Sequence, residues 1–140
     1  MDSLTATRHK FSLKNKIARV LWTISYFFFF RIFTLRIFRK WRIFVLKCFG
    51  AKISWNCTIH ASVKIWAPWN LKVGAYSCIG QGTDCYNQGM ITIGSNTTIS
   101  QKVYLCASTH DFTLASNPLL LKPIIIKDRV WIAADAFVGP

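Results

Sequence analysis

From Ile53 to the end of the chain, large apolar residues recur at every sixth position. Ile53, Ile59 and Ile65 form one triplet; Val73, Ile79 and Cys85, then Ile93, Ile99 and Leu105, then Ile126, Ile132 and Val138 form three more. The first three triplets begin at 53, 73 and 93, and the fourth is delayed to 126 by an insertion. A second beat is locked to the first. Four residues past an anchor the chain is usually small or β-branched, as at Cys57, Val63, Ser77, Thr83, Thr97, Val103, Val130 and Ala136, with Trp69 and Gly89 as exceptions. In a strand, residues of equal parity share a face. A corner every six residues resets that alternation and turns two residues per hexad inward, one large and one small. The residue after an anchor is often glycine (Gly74, Gly80, Gly94, Gly139), which suits a corner that needs positive φ or close backbone approach. Each triplet therefore predicts one coil of three short strands, the mark of a solenoid. An antiparallel sandwich would space its turns less regularly and need not keep phase. The register here holds through twelve anchors.

Three strings carry a resemblance to a known family: Lys72-Val73-Gly74-Ala75-Tyr76-Ser77-Cys78-Ile79-Gly80, Ile91-Thr92-Ile93-Gly94-Ser95-Asn96, and Val130-Trp131-Ile132-Ala133-Ala134-Asp135-Ala136-Phe137-Val138-Gly139-Pro140. They resemble the hexapeptide-repeat acyltransferases. More narrowly, Ile65-Trp66-Ala67-Pro68-Trp69-Asn70-Leu71, Ile99-Ser100-Gln101 and Ser108-Thr109-His110-Asp111 resemble the colanic-acid-type exopolysaccharide acetyltransferases, the WcaF group. The resemblance covers nearly the whole chain. It implies an all-β fold, a left-handed parallel β-helix over residues 51–140 with an inserted loop at 107–123. It also implies acetyl-CoA as co-substrate, a sugar or lipid-linked saccharide as acceptor, and a homotrimer with each active site between neighbouring subunits.

The first fifty residues have a different pattern. Lys and Arg number 18 against five Asp and Glu, a net charge of +13. Residues 1–50 hold eleven basic residues and one acid, Asp2, whereas residues 51–140 hold seven and four. The basic excess thus belongs to the N-terminal segment. Within it Phe33, Ile37, Trp41, Phe44 and Cys48 make a stripe at helical spacing, and Arg36, Arg39, Lys40, Arg42 and Lys47 fall largely off it. A transmembrane helix needs about 20 apolar residues, and the longest run free of charge, Val20 to Phe30, has eleven. That run ends in Arg31 with no small-residue cleavage site, which fits a secretory signal poorly. Two readings remain for this basic amphipathic, helical segment. It docks on a membrane surface, here the cytoplasmic face of the inner membrane; or its apolar stripe packs on the end of the β-helix, shielding a sheet edge, while the basic face is solvated. No nucleic-acid reader motif is present, so nucleic acid is not an expected partner. Five cysteines, at 48, 57, 78, 85 and 106, form no CxxC and no even framework, which points to a reducing cytoplasm.

The chemistry concentrates in the insertion between Leu105 and Ile126. It is too long for a coil corner, and long loops in compact domains are usually functional or disordered. It carries His110, Ser108, Asp111, Ser116, Asn117 and Pro118. Acyl transfer from a thioester to a hydroxyl needs a base near neutral pKa, which histidine supplies, and a donor for the developing oxyanion. The resemblance implies that His110 is the general base. Asp111 either orients its imidazole or is a solvated loop acid. In related sugar acetyltransferases an asparagine on the preceding coil contacts the acceptor; Tyr86-Asn87 lies there, and strict register puts Tyr86 at that place. Asn87, and more weakly Asp84, are thus the substrate-binding candidates beside Asp111. Trp131, Ala133 and Ala134 match the stretch that lines the coenzyme A groove, although Trp131 equally suits packing against the loop. A zinc held by Cys106, His110 and Asp111 would lack a fourth ligand and consume the base, so no metal is expected. A carbonic-anhydrase-like site would need a third histidine, and only His60 and His110 lie in the repeats.

Family members continue past the position of Pro140 with further coils and a cap that complete the coenzyme A groove. The resemblance therefore implies a β-helix incomplete at its C-terminus. Two functions follow as expectations: an acetyl-CoA-dependent O-acetyltransferase acting on a sugar hydroxyl in surface-polysaccharide biosynthesis, or a truncated, non-catalytic β-helix remnant that binds a membrane or a full-length relative.

Overall fold

The twelve anchors stack into three columns, and the columns are the fold. The computed structural model describes residues 11–140; Asp2 and the other residues of the first ten lie outside it. The first coil consists of β1 (Lys52–Ile53), β2 (Thr58–Ile59) and β3 (Lys64–Ile65). The second is β4 (Leu71–Val73), β5 (Cys78–Ile79) and β6 (Asp84–Tyr86), and the third is β7 (Ile91–Ile93), β8 (Thr98–Ile99) and β9 (Tyr104–Cys106). After an excursion through β10 (Ser108–His110) and β11 (Leu119–Leu121), the fourth coil is β12 (Ile124–Ile126), β13 (Trp131–Ile132) and β14 (Phe137–Val138). All pairing between coils is parallel and makes three sheets, β1-β4-β7-β12, β2-β5-β8-β13 and β3-β6-β9-β14. Ile53, Val73, Ile93 and Ile126 lie in register on the first face. Ile59, Ile79, Ile99 and Ile132 align on the second, and Ile65, Cys85, Leu105 and Val138 on the third. This is a left-handed parallel β-helix preceded by a helical segment; the repeat predicted the three-strand coils, and the resemblance implied the left-handed β-helix.

Burial follows the beat. The anchors of the first three coils are at most 6% exposed, each contributing about 1.5–3 kcal/mol through its removal from water. The second inward position is buried as well, and its polar atoms satisfy carbonyls of the next coil. Ser77 donates to the Gly94 carbonyl at 2.6 Å, Thr97 to that of Lys127 at 2.7 Å, and Thr83 to that of Ser100 at 3.0 Å. A buried hydroxyl without such a partner would be destabilising, so Ser and Thr at these positions are part of the ladder.

The corners differ from the sequence expectation in one respect. Positive φ falls three residues past the anchor, at Tyr76, Asn96, Lys102, Arg129 and Asp135, and not at the glycine that follows it. Gly74 and Gly80 are needed for close approach instead. A Cβ at Gly74 would lie 2.6 Å from the Ser95 nitrogen, and one at Gly80 2.7 Å from the Ser100 carbonyl carbon.

The N-terminal segment folds as α1 (Leu13–Ser25), a π-helical turn (Tyr26–Arg31), a short 3-10 turn (Arg36–Phe38) and α2 (Arg39–Cys48). Ser12 caps α1, its hydroxyl accepting from the Asn15 nitrogen at 3.2 Å. Gly50, at φ 89°, ends α2. The segment covers the open edge of the first coil. Trp22 Nε1 donates to the Ile65 carbonyl at 2.7 Å, Arg39 to that of Cys57 at 2.8 Å, and Arg42 Nε to that of Ile59 at 2.8 Å. These carbonyls would otherwise be unpaired strand edge.

The helical stripe read from sequence does not make this contact. Ile37, Trp41 and Phe44 stand in solvent, and α2 instead buries Arg42, Ile43, Val45 and Leu46. The reading in which the stripe packs and the basic face is solvated is therefore corrected for the stripe and for Arg42, while Arg36 and Lys40 are exposed. The coil edge presents carbonyls as well as apolar surface, so the face that packs needs a donor, and Arg42 is that donor. Among the described residues, no helix is long and apolar enough to cross a membrane.

Candidate active site

The insertion is an antiparallel hairpin. Ser108, Thr109 and His110 of β10 pair with Leu121, Leu120 and Leu119 of β11. It leaves the prism at the corner after β9, where the Ala107 carbonyl accepts from Gly89 at 3.1 Å and from Lys122 at 3.2 Å. Gly89 is required there, since a Cβ would sit 2.6 Å from the Ala107 oxygen. A rigid coil thus carries the hairpin base, and His110 stands exposed on β10 close to the turn.

Its imidazole is held at one nitrogen. His110 Nδ1 lies 2.8 Å from the Asn117 carbonyl oxygen. A carbonyl only accepts, so Nδ1 carries a proton, and in the neutral ring the lone pair is then on Nε2. Asn117 reaches this position through a left-handed backbone, φ 44°, a conformation that asparagine tolerates better than most residues. Asn117 was singled out in the sequence only as a loop residue; the signal for its role was the Asn-Pro pair seven residues past the histidine.

Asp111 does not orient the imidazole through its carboxylate. Its Oδ1 accepts from the Thr113 nitrogen at 3.0 Å and from the Thr113 hydroxyl at 2.5 Å, closing the hairpin turn. These bonds hold its pKa below the ordinary value. Asn87 is fully buried, and both ends of its amide serve Ala67: Oδ1 accepts from the Ala67 nitrogen at 3.0 Å, and Nδ2 donates to the Ala67 carbonyl at 2.6 Å. In this structure it braces the corner after β3 and presents no free polar atom to an acceptor. Asp84 lies on the outer side of the third face, in register with Lys64 and Tyr104. Partial burial raises its pKa, opposed by the Lys64 charge.

Trp131, Ala133 and Ala134 are exposed on the fourth coil. The Trp131 indole nitrogen donates to the Ser100 hydroxyl at 2.9 Å. Ser100 in turn lines a shallow groove on the second face with His60, Cys78, Gly80 and Gln101. Trp131 therefore stands against the coil rather than against the loop. The candidates divide between places: His110 and Asp111 on the hairpin, Asp84 on the third face, and Trp131 with its neighbours at the second.

His60 occupies a coil corner, its nitrogen donating to the Ile79 carbonyl at 3.3 Å. Burial, and then the Arg42 charge, push its pKa below the ordinary value. All five cysteines are free; Cys85 sits inside the prism, where burial pushes its thiol up to about 12. Among the described residues, no three His, Cys, Asp or Glu side chains converge as metal ligands.

By repeat, register and fold, the chain is a hexapeptide-repeat β-helix protein. No protein-family model matches it. Its sequence is similar to WcaF of Escherichia coli (strain K12), named as a colanic acid biosynthesis acetyltransferase: 45% identity over 101 residues, which are 72% of this chain and 56% of that protein. WcaF of Shigella flexneri matches to the same extent. The chain thus spans little more than half the length of the curated relatives it matches. In structure it is similar to a hexapeptide-repeat-containing acetyltransferase from Vibrio cholerae, with TM-score 0.74 and 17% identity, covering 91% of this chain and 72% of that one. It also resembles AntD, an N-acyltransferase from Bacillus cereus in complex with dTDP and 3-hydroxybutyryl-CoA, with TM-score 0.52 and 20% identity over 68% of this chain and 66% of that one.

Proposed function

We propose that the protein is an O-acetyltransferase that passes the acetyl group of acetyl-CoA to a sugar hydroxyl in surface-polysaccharide biosynthesis, in the cytoplasm, with His110 as general base. The observation that carries this reading is the 2.8 Å contact between His110 Nδ1 and the Asn117 carbonyl, which leaves Nε2 as a free base on an exposed strand. Nε2 takes the proton of the acceptor hydroxyl as its oxygen attacks the thioester carbonyl. A backbone N–H donates to the resulting oxyanion. Collapse expels the coenzyme A thiolate, which recovers the proton from the imidazolium. An acetyl ester and free coenzyme A result, with no covalent intermediate on the protein.

The names of the WcaF relatives support acetyl transfer in polysaccharide assembly, and the thioester in the AntD complex supports an acyl-CoA donor. For the donor, this reading uses the exposed stretch Trp131, Ala133 and Ala134 beside the groove of the second face. For the acceptor it uses the hairpin and Asp84. The hairpin stands out from the prism, so a neighbouring subunit of a homotrimer would supply the opposite wall.

The test is coenzyme A release from acetyl-CoA with mixed sugar acceptors. His110→Ala is expected to lower kcat by roughly 10²–10⁴ while leaving coenzyme A affinity and the melting temperature unchanged. Asn117→Val, which disfavours the left-handed backbone, is expected to lower kcat by about tenfold and to alter the pH–rate profile. Turnover that survives loss of His110, or wild-type protein that cleaves no thioester, would sink the proposal.

A further inference from the structure

Thirteen large hydrophobic side chains between Leu13 and Phe44 stand in solvent. They are not scattered. On α1, Leu13, Ile17, Val20, Leu21 and Ile24 are 52–73% exposed. At about 100° per residue they fall on one side of the helix, opposite the packed Trp22. Lys14 and Lys16 lie at the two borders of that stripe, both exposed.

The π-helical turn then widens the stripe. Within it Tyr26 and Phe30, four residues apart, share the inward side and stack at 5.5 Å. The three residues between them, Phe27, Phe28 and Phe29, are turned outward and are 51–64% exposed. A second apolar patch adjoins this one. Trp41 Nε1 donates to the Phe29 carbonyl at 2.7 Å, and the Trp41 ring packs at 5.7 Å on both Phe33 and Phe44.

The other face of these helices is spent on the β-helix edge, through Trp22, Arg39 and Arg42. Exposed apolar surface on this scale marks an interaction site. The charge around it selects the partner. Residues 11–50 carry nine Lys and Arg and no Asp or Glu. A symmetric contact with a second copy would press like charges together with nothing to neutralise them. An anionic surface neutralises those that border the exposed stripe, such as Lys14 and Lys16.

We propose that the helical cap docks on the surface of an anionic phospholipid bilayer. The outer stripe of α1 and Phe27–Phe29 enter the boundary between headgroups and acyl chains, and the bordering basic side chains pair with lipid phosphates. The helices lie in the plane of the surface, and the β-helix stands away from it on the side of Trp22 and Arg42. This inference is independent of the acyl-transfer reading, because vesicle binding involves no turnover.

The experiment is co-flotation of the full chain with phosphatidylcholine–phosphatidylglycerol vesicles, against phosphatidylcholine alone and against raised salt. Partition is expected into the anionic vesicles, falling with salt. The pair Ile24→Gln and Phe28→Gln alters exposed positions only. It should cut partition by roughly tenfold or more, with the melting temperature unchanged. Lys14→Glu with Lys16→Glu should cut it on anionic vesicles. Absence of partition overturns the proposal, as does partition that the Ile24–Phe28 pair leaves intact. A wild-type oligomer that this pair dissociates, with no vesicle binding, assigns the face to a second copy and equally overturns it.

Discussion

The β-helix and its helical cap treat apolar residues in opposite ways. In the prism the periodic aliphatics are inside: Ile79 has no exposed surface. In the cap they are largely outside: Ile24, of the same residue type, is 52% exposed. The difference lies in the availability of a partner. Each coil finds the next coil in register and closes an interior that only side chains fill. The cap has one coil edge to cover, and that edge offers carbonyls as much as apolar surface. The cap therefore spends donors on it and leaves its aliphatic and aromatic stripe facing out. Hydrophobicity alone does not say which side of a helix packs; complementarity to the surface on offer does.

The contrast is open to direct attack. The largest effect is expected from matched substitutions in the two regions. Ile79→Asp buries an unpaired carboxylate in the prism and should cost about 4 kcal/mol or more, abolishing the cooperative melt. Ile24→Asp in α1 should change stability by less than about 0.5 kcal/mol. Equal losses in chemical denaturation would mean that the stripe of α1 is packed and the contrast false.

A smaller effect probes how the cap is held. Arg42 is 3% exposed; its Nε donates to the Ile59 carbonyl, and its Nη1 to the carbonyls of Phe33 at 2.6 Å and Leu35 at 3.1 Å. Arg42→Met keeps the packing but strands the Ile59 and Phe33 carbonyls, the Leu35 carbonyl still accepting from the Phe38 nitrogen at 3.1 Å, and should cost about 2–4 kcal/mol. Hydrogen exchange should then rise first in β2 and in the 33–35 stretch. A neutral outcome would show that apolar contact alone seats the cap.

The smallest effect lies on the prism's outer surface. Burial raises the pKa of Asp84 above the ordinary 3.8, so the folded state binds that proton more tightly than the unfolded state does. Its contribution is full below the unfolded pKa and is lost as pH rises through the folded value. Asp84→Asn should therefore raise the melting temperature slightly near pH 7 and not near pH 3. A variant that melts lower at pH 7 would show that the Lys64 attraction outweighs burial.

Much of this molecule was legible in the sequence because its rule is local. A hexad with two inward positions sets facing, corner and register together, and each coil repeats the last. The twelve anchors, the small second position and the protruding insertion with His110 all follow from spacing alone. What escaped depended on contacts between distant residues. That Asn87 braces Ala67 twenty residues earlier, rather than facing an acceptor, is a matter of which way one amide turns at a corner. That the Asn117 carbonyl, and not the Asp111 carboxylate, meets the His110 ring depends on the closure of the hairpin turn. Positive φ at the third residue of the corners, not at the glycine that follows the anchor, came from the path of the backbone between stacked coils. In the cap the helical period was present and its facing was not. A period gives a helix two sides, and only the surface it meets, here a row of unpaired carbonyls that drew in Arg42, decides which side is turned inward.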